Sequence, residues 1–272
     1  MRRRQFLAAA GAAAGAALTA DTFLIEPRAI EVTRHDVRVP RLPPALHGVR
    51  IAQVADLHLP ACRGPAEVAL ELLERERAEI VLHSGDAVEV ASAARMFGDL
   101  GRALRGTLAT AAVLGNWEHR VELTGTAAER AWDRAGVPLL VNSHVTVRVA
   151  DATLALVGLD DLLYSSPDFE AARRGLPEGI TELWVGHEPA VADRIPAGIP
   201  RPALLLSGHT HGGQIRLPGV PPFTPVGSGR YVAGWYRSPS APLYVSRGIG
   251  TVDIRARFRC PPELPVFRLL PA

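Results

Sequence analysis

Seven side chains with strong affinity for divalent cations sit at the ends of short apolar runs in this 272-residue chain. Asp56-Leu57-His58 places a carboxylate and an imidazole one residue apart. Asp86 follows Gly85, Asn116 follows Gly115, and His187 follows Gly186. His209-Thr210-His211 follows Gly208 and runs into Gly212-Gly213. A glycine just before such a residue lets the backbone turn sharply or approach closely. Two carboxylates, one amide and four imidazoles form a mixed oxygen and nitrogen set. That set suits Mn, Fe or Zn better than Mg or Ca, which favour shells made of oxygen alone. Seven ligands exceed the usual four of one zinc site, so two ions sharing a carboxylate is the economical arrangement. Each motif alone is weak, since Asp-x-His is more often a capped turn and a lone His is more often structural. The ordered set is specific.

The segments that must position these residues alternate in type. Residues 30–39 alternate between apolar and polar, as a half-exposed strand does, and a Pro-rich run at 40–44 breaks them. Residues 49–55 read as a buried strand ending at Asp56. Pro65 opens a helical pattern through residue 77, and 79–83 reads as a strand leading to Gly85-Asp86. A helix over 91–104 precedes a strand over 109–114, which leads to Gly115-Asn116. A helix over 126–135 stops at Gly136. Strands are predicted over 137–141, 145–149 and 154–159. Residues 183–185 lead to His187 and 203–206 lead to His209, while strands return over 243–246 and 266–269. Residues 218–225 form a loop rich in Pro and Gly. This alternation predicts an α/β fold. Five strand ends delivering Asp, His or Asn match the rule that open α/β sheets bind ligands outside the carboxyl ends of their strands. No repeat or long linker divides the chain, so residues 49–272 read as one catalytic domain. Residues 21–48 form an N-terminal strand and linker leading into it.

Composition narrows the partners. Thirty basic residues face 28 acidic ones, and all thirty are Arg. Arg2, Arg3 and Arg4 account for three, so the remainder is close to neutral and offers no broad footprint for nucleic acid. Arg3-Arg4-Gln5-Phe6-Leu7 followed by an uncharged Ala/Gly-rich stretch reads as a twin-arginine (Tat) signal over residues 1–20. The expected destination is the periplasm or the outer face of the cytoplasmic membrane, reached through the Tat machinery. The leader is either released or kept as an anchor, since Leu18-Thr19-Ala20 is a poor cleavage motif. Nothing further along has the length of a membrane span. Cys62 and Cys260 are read as two buried thiols or as one disulfide in an exported protein.

The ordered motifs resemble those of the calcineurin-like metallophosphoesterase superfamily: Asp-x-His, Gly-Asp, Gly-Asn-His-Asp/Glu, a later His, and Gly-His-x-His. The resemblance runs from about Arg50 to the C-terminus. Gly208-His209-Thr210-His211-Gly212-Gly213-Gln214, Tyr244-Val245-Ser246-Arg247-Gly248 and the leader resemble a bacterial branch of Tat-exported phosphodiesterases and relatives acting on UDP-2,3-diacylglucosamine. The likeness implies a four-layer sandwich of two packed mixed β-sheets flanked by helices. It also implies that Asp56, His58, Asp86 and His211 hold one metal, while Asp86, Asn116, His187 and His209 hold another. Two such ions can deprotonate a bridging water and clamp the phosphoryl oxygens during in-line displacement. The implied substrate is a phosphate ester, including a lipid-linked or nucleotide-sugar one, with peripheral association at a membrane.

One position departs from the family pattern. Trp117 stands where His usually follows the Asn, and an indole N–H has no proton to exchange near neutral pH. His119 is the nearest candidate to protonate a leaving group, against an ordinary surface role. Glu118 is expected to orient a neighbour, and Arg247 to contact a phosphate or form a structural ion pair. Phe223, Trp235 and Tyr236 are candidates to line an apolar cleft, and His83 for the core or for support of the site. The competing functions are a metal-stabilised binding protein without turnover and a nuclease.

Overall fold

The computed structural model describes residues 3–220, 222–238 and 240–272. Met1 and Arg2 of the predicted leader and Pro221 of the predicted loop lie outside the described residues. The alternating segment near the start forms β1 (Glu31–Val39), which pairs in parallel along its whole length with the final strand, β11 (Glu263–Pro271). β11 then runs antiparallel to β2 (Arg50–Val54), and β3 (Ile80–Ser84) and β4 (Ala109–Val113) follow in parallel. The first sheet thus has the order β1-β11-β2-β3-β4.

A second, six-stranded sheet is built from β5 (Ser143–Val149), β6 (Ala152–Gly158), β7 (Thr181–Val185), β8 (Leu204–Ser207), β9 (Gly234–Arg237) and β10 (Pro242–Val245). Its order is β5-β6-β7-β8-β10-β9, with four parallel strands inside and antiparallel strands at both edges. β3 and β7 are buried at every residue, which explains why they read as continuous apolar runs.

The period of two along each strand sorts side chains between layers. Ile51, Ile80, Leu82 and Val113 meet Leu156, Leu183 and Leu206 between the two sheets. Val81 and Ala112 face the other way, against Phe97 of α3 (Ala94–Ala103), Trp132 of α5 (Gly125–Ala135) and Leu73 of α2 (Arg63–Glu76). On the far side of the second sheet, Trp184 and Leu205 pack under Phe169 of α6 (Phe169–Arg173) and Val191. Each fully buried Leu, Ile or Phe contributes about 1.5–3 kcal/mol, so the three apolar layers hold the four structural layers together. This is the two-sheet sandwich that the family resemblance implies.

Four details differ. Residues 137–141 form no strand; Leu139 makes an isolated bridge to Ala112, because Pro138 has no N–H for a ladder. The short helices α4 (Asn116–Arg120) and α6 and the edge strand β9 were not anticipated. The segment read as a leader folds as α1 (Arg3–Ala20), and no helix among the described residues is long and apolar enough to cross a membrane.

Candidate metal centre

The turns that follow β2, β3, β4, β7 and β8 open at one edge of the sandwich and bring the seven sequence-selected residues together. They form two groups, Asp56 with His58 and His211, and Asp86 with His187 and His209; within each group the ligand atoms lie within 4.8 Å of one another. Asp86 joins the groups, because its Oδ2 is 3.2 Å from His187 Nε2 and 3.6 Å from His58 Nε2. Asn116 Oδ1 completes the second group, 2.9 Å from His209 Nδ1 and 3.2 Å from His187 Nε2. Every one of these side chains is buried.

The donor set fits a pair of cations. Ring nitrogens face one another, His58 Nε2 to His211 Nε2 at 3.0 Å and His209 Nδ1 to His187 Nε2 at 3.2 Å. Lone pairs pointed together in this way repel unless a proton or a cation lies between them. Asp56 Oδ2 is buried with no hydrogen-bond partner, a costly state for a carboxylate. The outer ring nitrogens fix which atom faces inward. His187 Nδ1 donates to Ser84 O at 2.7 Å and His209 Nε2 donates to Val226 O at 2.7 Å. His58 Nδ1 faces Glu89 Oε1 at 3.3 Å. Such outer partners set the tautomer of a metal-binding imidazole and raise its basicity.

Electrostatics lead to the same place. Burial pulls the His187 imidazole down, but the adjacent Asp86 carboxylate more than reverses this and holds it well above its ordinary value. Burial likewise pushes Asp86 up, and the His187 and His58 imidazoles outweigh it, keeping the carboxyl well below the usual range. Burial lowers His209 to about 4 and pushes Asp56 up to about 6.

Five of the seven residues have left-handed backbones: φ is 54° at Asp56, 48° at His58, 52° at Asp86, 70° at His209 and 49° at His211. Asp and His tolerate this region better than most residues, but each instance still costs on the order of 1–2 kcal/mol. Such strain persists where surrounding structure over-determines it, and it gathers at functional sites. Gly85 is required by contact as well as by its φ of 90°, since a Cβ there would lie 2.5 Å from His187 Nδ1.

Glu118 orients its neighbours, as expected, by accepting the backbone N–H of Gly115 at 2.8 Å and those of Asp86 and Val88 at 3.0 Å. One buried carboxylate thus ties the β3 turn to the β4 turn. Two supports escaped the sequence reading. Glu89, beside His58, also pairs with Arg255; its only signal was a charge three residues after Asp86. Arg257 is fully buried, and its guanidinium donates to Cys260 O at 3.0 Å, Arg247 O at 2.8 Å and Gly248 O at 3.1 Å. It clamps the turns behind Asp56 and His211 with no carboxylate ion pair among the described residues, and nothing in its sequence context distinguishes it from the other arginines.

A cavity of about 370 Å³ opens beside the centre, lined by Asp86, Asn116, His209 and His211 on one side and by Ile215, Phe223, Val252 and Ile254 on the other. Trp117 and Arg120 also line it, with the guanidinium 4.2 Å above the indole. His119 and Arg247 do not. His119 stands 3.5 Å from Asp160 and stacks on Tyr164, and Asp160 holds its imidazole above the ordinary value. Arg247 is bound by Glu31 at 2.8 Å and Glu263 at 3.3 Å, the structural ion pair. Phe223 reaches the cavity, whereas Trp235 edges onto Tyr244 and donates to His35, and the Tyr236 hydroxyl accepts from Val232 N–H. His83 is a core residue whose Nε2 donates to Leu104 O. Cys62 and Cys260 are separate buried thiols.

A two-sheet α/β sandwich carrying carboxylates and imidazoles on convergent strand ends defines a phosphoric ester hydrolase of the metallophosphoesterase class. The family model of the calcineurin-like phosphoesterases matches residues 49–213, and the chain belongs to that family. An uncharacterized metallophosphoesterase of Bacillus subtilis (strain 168), YkuE, is 31% identical over 99% of this chain and 98% of its own length. The phosphodiesterase YaeI of Escherichia coli (strain K12) is 29% identical over 81% of this chain and 82% of its own. Among solved structures, the 5'-nucleotidase precursor of Thermus thermophilus aligns with a TM-score of 0.48 and 15% identity, over 74% of this chain and 48% of that one.

Proposed function

We propose that the chain is a phosphodiesterase dependent on two divalent cations (Mn, Fe or Zn). Asp56, His58, Asp86 and His211 hold the first, and Asp86, Asn116, His187 and His209 hold the second. The carrying observation is the single Asp86 oxygen that faces imidazoles of both groups. When bound, such ions supply Lewis acidity toward phosphoryl oxygens and acidify water.

The protein's own residues divide the remaining work. Glu89, Ser84 O and Val226 O hold three imidazoles in the orientation that turns a lone pair inward. Trp117 walls the cavity where the family pattern has His, so a leaving group there receives an N–H donor and no exchangeable proton. Esters with acidic leaving groups suffer least from that exchange. With His119 held by Asp160 and Arg247 held by two carboxylates, Arg120 is the guanidinium at the cavity wall. The apolar far side of the cavity suits an ester with an apolar portion, and the similarity to a phosphodiesterase favours a diester. In this reading the leader directs export through the Tat machinery to the periplasm or the outer face of the cytoplasmic membrane. The substrate is then a lipid-linked or nucleotide-sugar phosphate ester of the envelope.

Metal analysis of protein exported by its own host, beside an Asp86→Asn variant, tests the site. Hydrolysis of bis-p-nitrophenyl phosphate and p-nitrophenyl phosphate with added Mn or Zn tests the activity. Two bound ions with turnover of neither ester would favour the binding-protein reading, and cleavage of single-stranded DNA would favour the nuclease.

A further inference from the structure

We infer that the rim of the catalytic cavity is a docking face for an anionic lipid surface, formed jointly by residues 22–28 and by residues 217–220 and 222–226. Three segments carry the geometry. The backbone N–H of Arg257 bonds Thr22 O at 2.9 Å, and the N–H of Arg259 bonds the Glu26 carboxylate at 3.0 Å. On its other edge the same segment pairs with the cavity wall, Phe258 N–H to Gln214 O at 3.1 Å and Arg216 N–H to Phe258 O at 2.9 Å. Residues 257–260 therefore bridge the N-terminal segment and the cavity wall, since Arg257, Arg259 and Cys260 bond the former and Phe258 the latter.

This rim exposes apolar side chains that nothing among the described residues covers. Leu24 is 60% exposed, Ile25 59%, Val220 56%, Ile254 55% and Leu217 53%; Phe223 and Val226 exceed 80%. Apolar side chains scattered singly over a surface are ordinary, whereas a contiguous set marks an interaction site. The loop that carries them is anchored beside the centre, because Val226 O accepts from His209 and Pro222 lies against Gly213.

Charge and placement choose the occupant. Arg28, Arg120, Arg216 and Arg259 lie on or beside these three segments, and among the described residues none of them forms an ion pair with a carboxylate; of the acidic residues there, Glu26 is taken up by the backbone N–H groups of Arg259 and Cys260, and Asp253 lines the cavity. Unpaired arginines interleaved with apolar side chains suit anionic headgroups over acyl chains. A folded protein seated on the rim would close the cavity mouth. A lipid surface accepts the apolar side chains and leaves phosphate esters facing the mouth. α1 joins the body at this same segment, so an uncut leader adds to the contact without spanning the bilayer. The catalytic benefit of docking rests on the phosphoesterase reading; the docking itself does not.

The full chain is to be floated with vesicles of phosphatidylcholine alone and of phosphatidylcholine mixed with phosphatidylglycerol. The expected result is partition onto the mixed vesicles that weakens in high salt. Leu24→Ser, Ile25→Ser, Leu217→Ser and Val220→Ser combined should lower it by at least about tenfold. Arg28→Gln with Arg259→Gln should remove the preference for phosphatidylglycerol. Both variants should keep their thermal midpoint and their turnover of soluble bis-p-nitrophenyl phosphate. Undiminished partition by the fourfold Ser variant would assign the contact to α1 alone and overturn the inference. So would failure of the unaltered chain to float, or a dimer that the Ser variant dissociates. Partition without hydrolysis of the soluble diester would sink the enzymatic reading and leave the docking face standing.

Discussion

Asp86 Oδ2 stands 3.2 Å from His187 Nε2 while remaining 3.6 Å from His58 Nε2, so one carboxylate oxygen serves both halves of the centre. Asn at this position keeps the shape but removes the charge. Asp86→Asn is expected to retain fewer than two ions per chain and to lose turnover by about two to three orders of magnitude. Metal content by mass spectrometry, read with kcat, checks this; full occupancy and full activity would refute the bridging role.

Glu118 satisfies three buried N–H groups on two turns. Glu118→Ala strands all three, and an unsatisfied buried donor costs about 1–3 kcal/mol. The expected loss is about 3–5 kcal/mol in urea unfolding, with Glu118→Gln less affected. A loss in Ala below about 1 kcal/mol would mean that the turns hold themselves.

At position 117 the indole cannot deliver a proton, so kcat/KM should fall steeply as the leaving-group pKa rises. Trp117→His should flatten that dependence and gain about ten- to a hundredfold on the poorest leaving group. A flat profile in the unaltered enzyme would remove the argument.

His83 gives a pH dependence whose sign can be worked out. Burial lowers its pKa from 6.5 to about 4, so the unfolded chain binds a proton that the folded chain rejects. Stability is therefore complete above about pH 6.5 and declines as the pH falls toward 4, by up to about 3 kcal/mol. His83→Gln keeps a donor for Leu104 O without this titration, and its urea midpoint should fall less across that window. Equal slopes for both proteins would show that His83 contributes nothing to acid sensitivity.

Much of the sandwich was legible because its central strands are short and apolar on both faces, as at 49–55 and 79–83, and because glycines announce the turns that follow. The strand expected at 137–141 failed on Pro138, whose missing N–H limits it to one bridge. Helix α4 was hidden because Asn116–Arg120 is a single turn, too short for an apolar period.

The seven cation-binding side chains were readable from residue type, order and the glycines beside them, since coordination chemistry depends first on which donor atoms the chain supplies. Which auxiliary residues serve them was decided in three dimensions. Arg247 and Arg257 look alike in the sequence, yet one is bound by Glu31 and Glu263 while the other is buried among carbonyls behind Asp56 and His211. His119 and Arg120 are adjacent, yet one turns to Asp160 and the other to the cavity. Local pattern encodes what a side chain can donate; its partner depends on which distant segment packs against it, and that is a property of the folded chain.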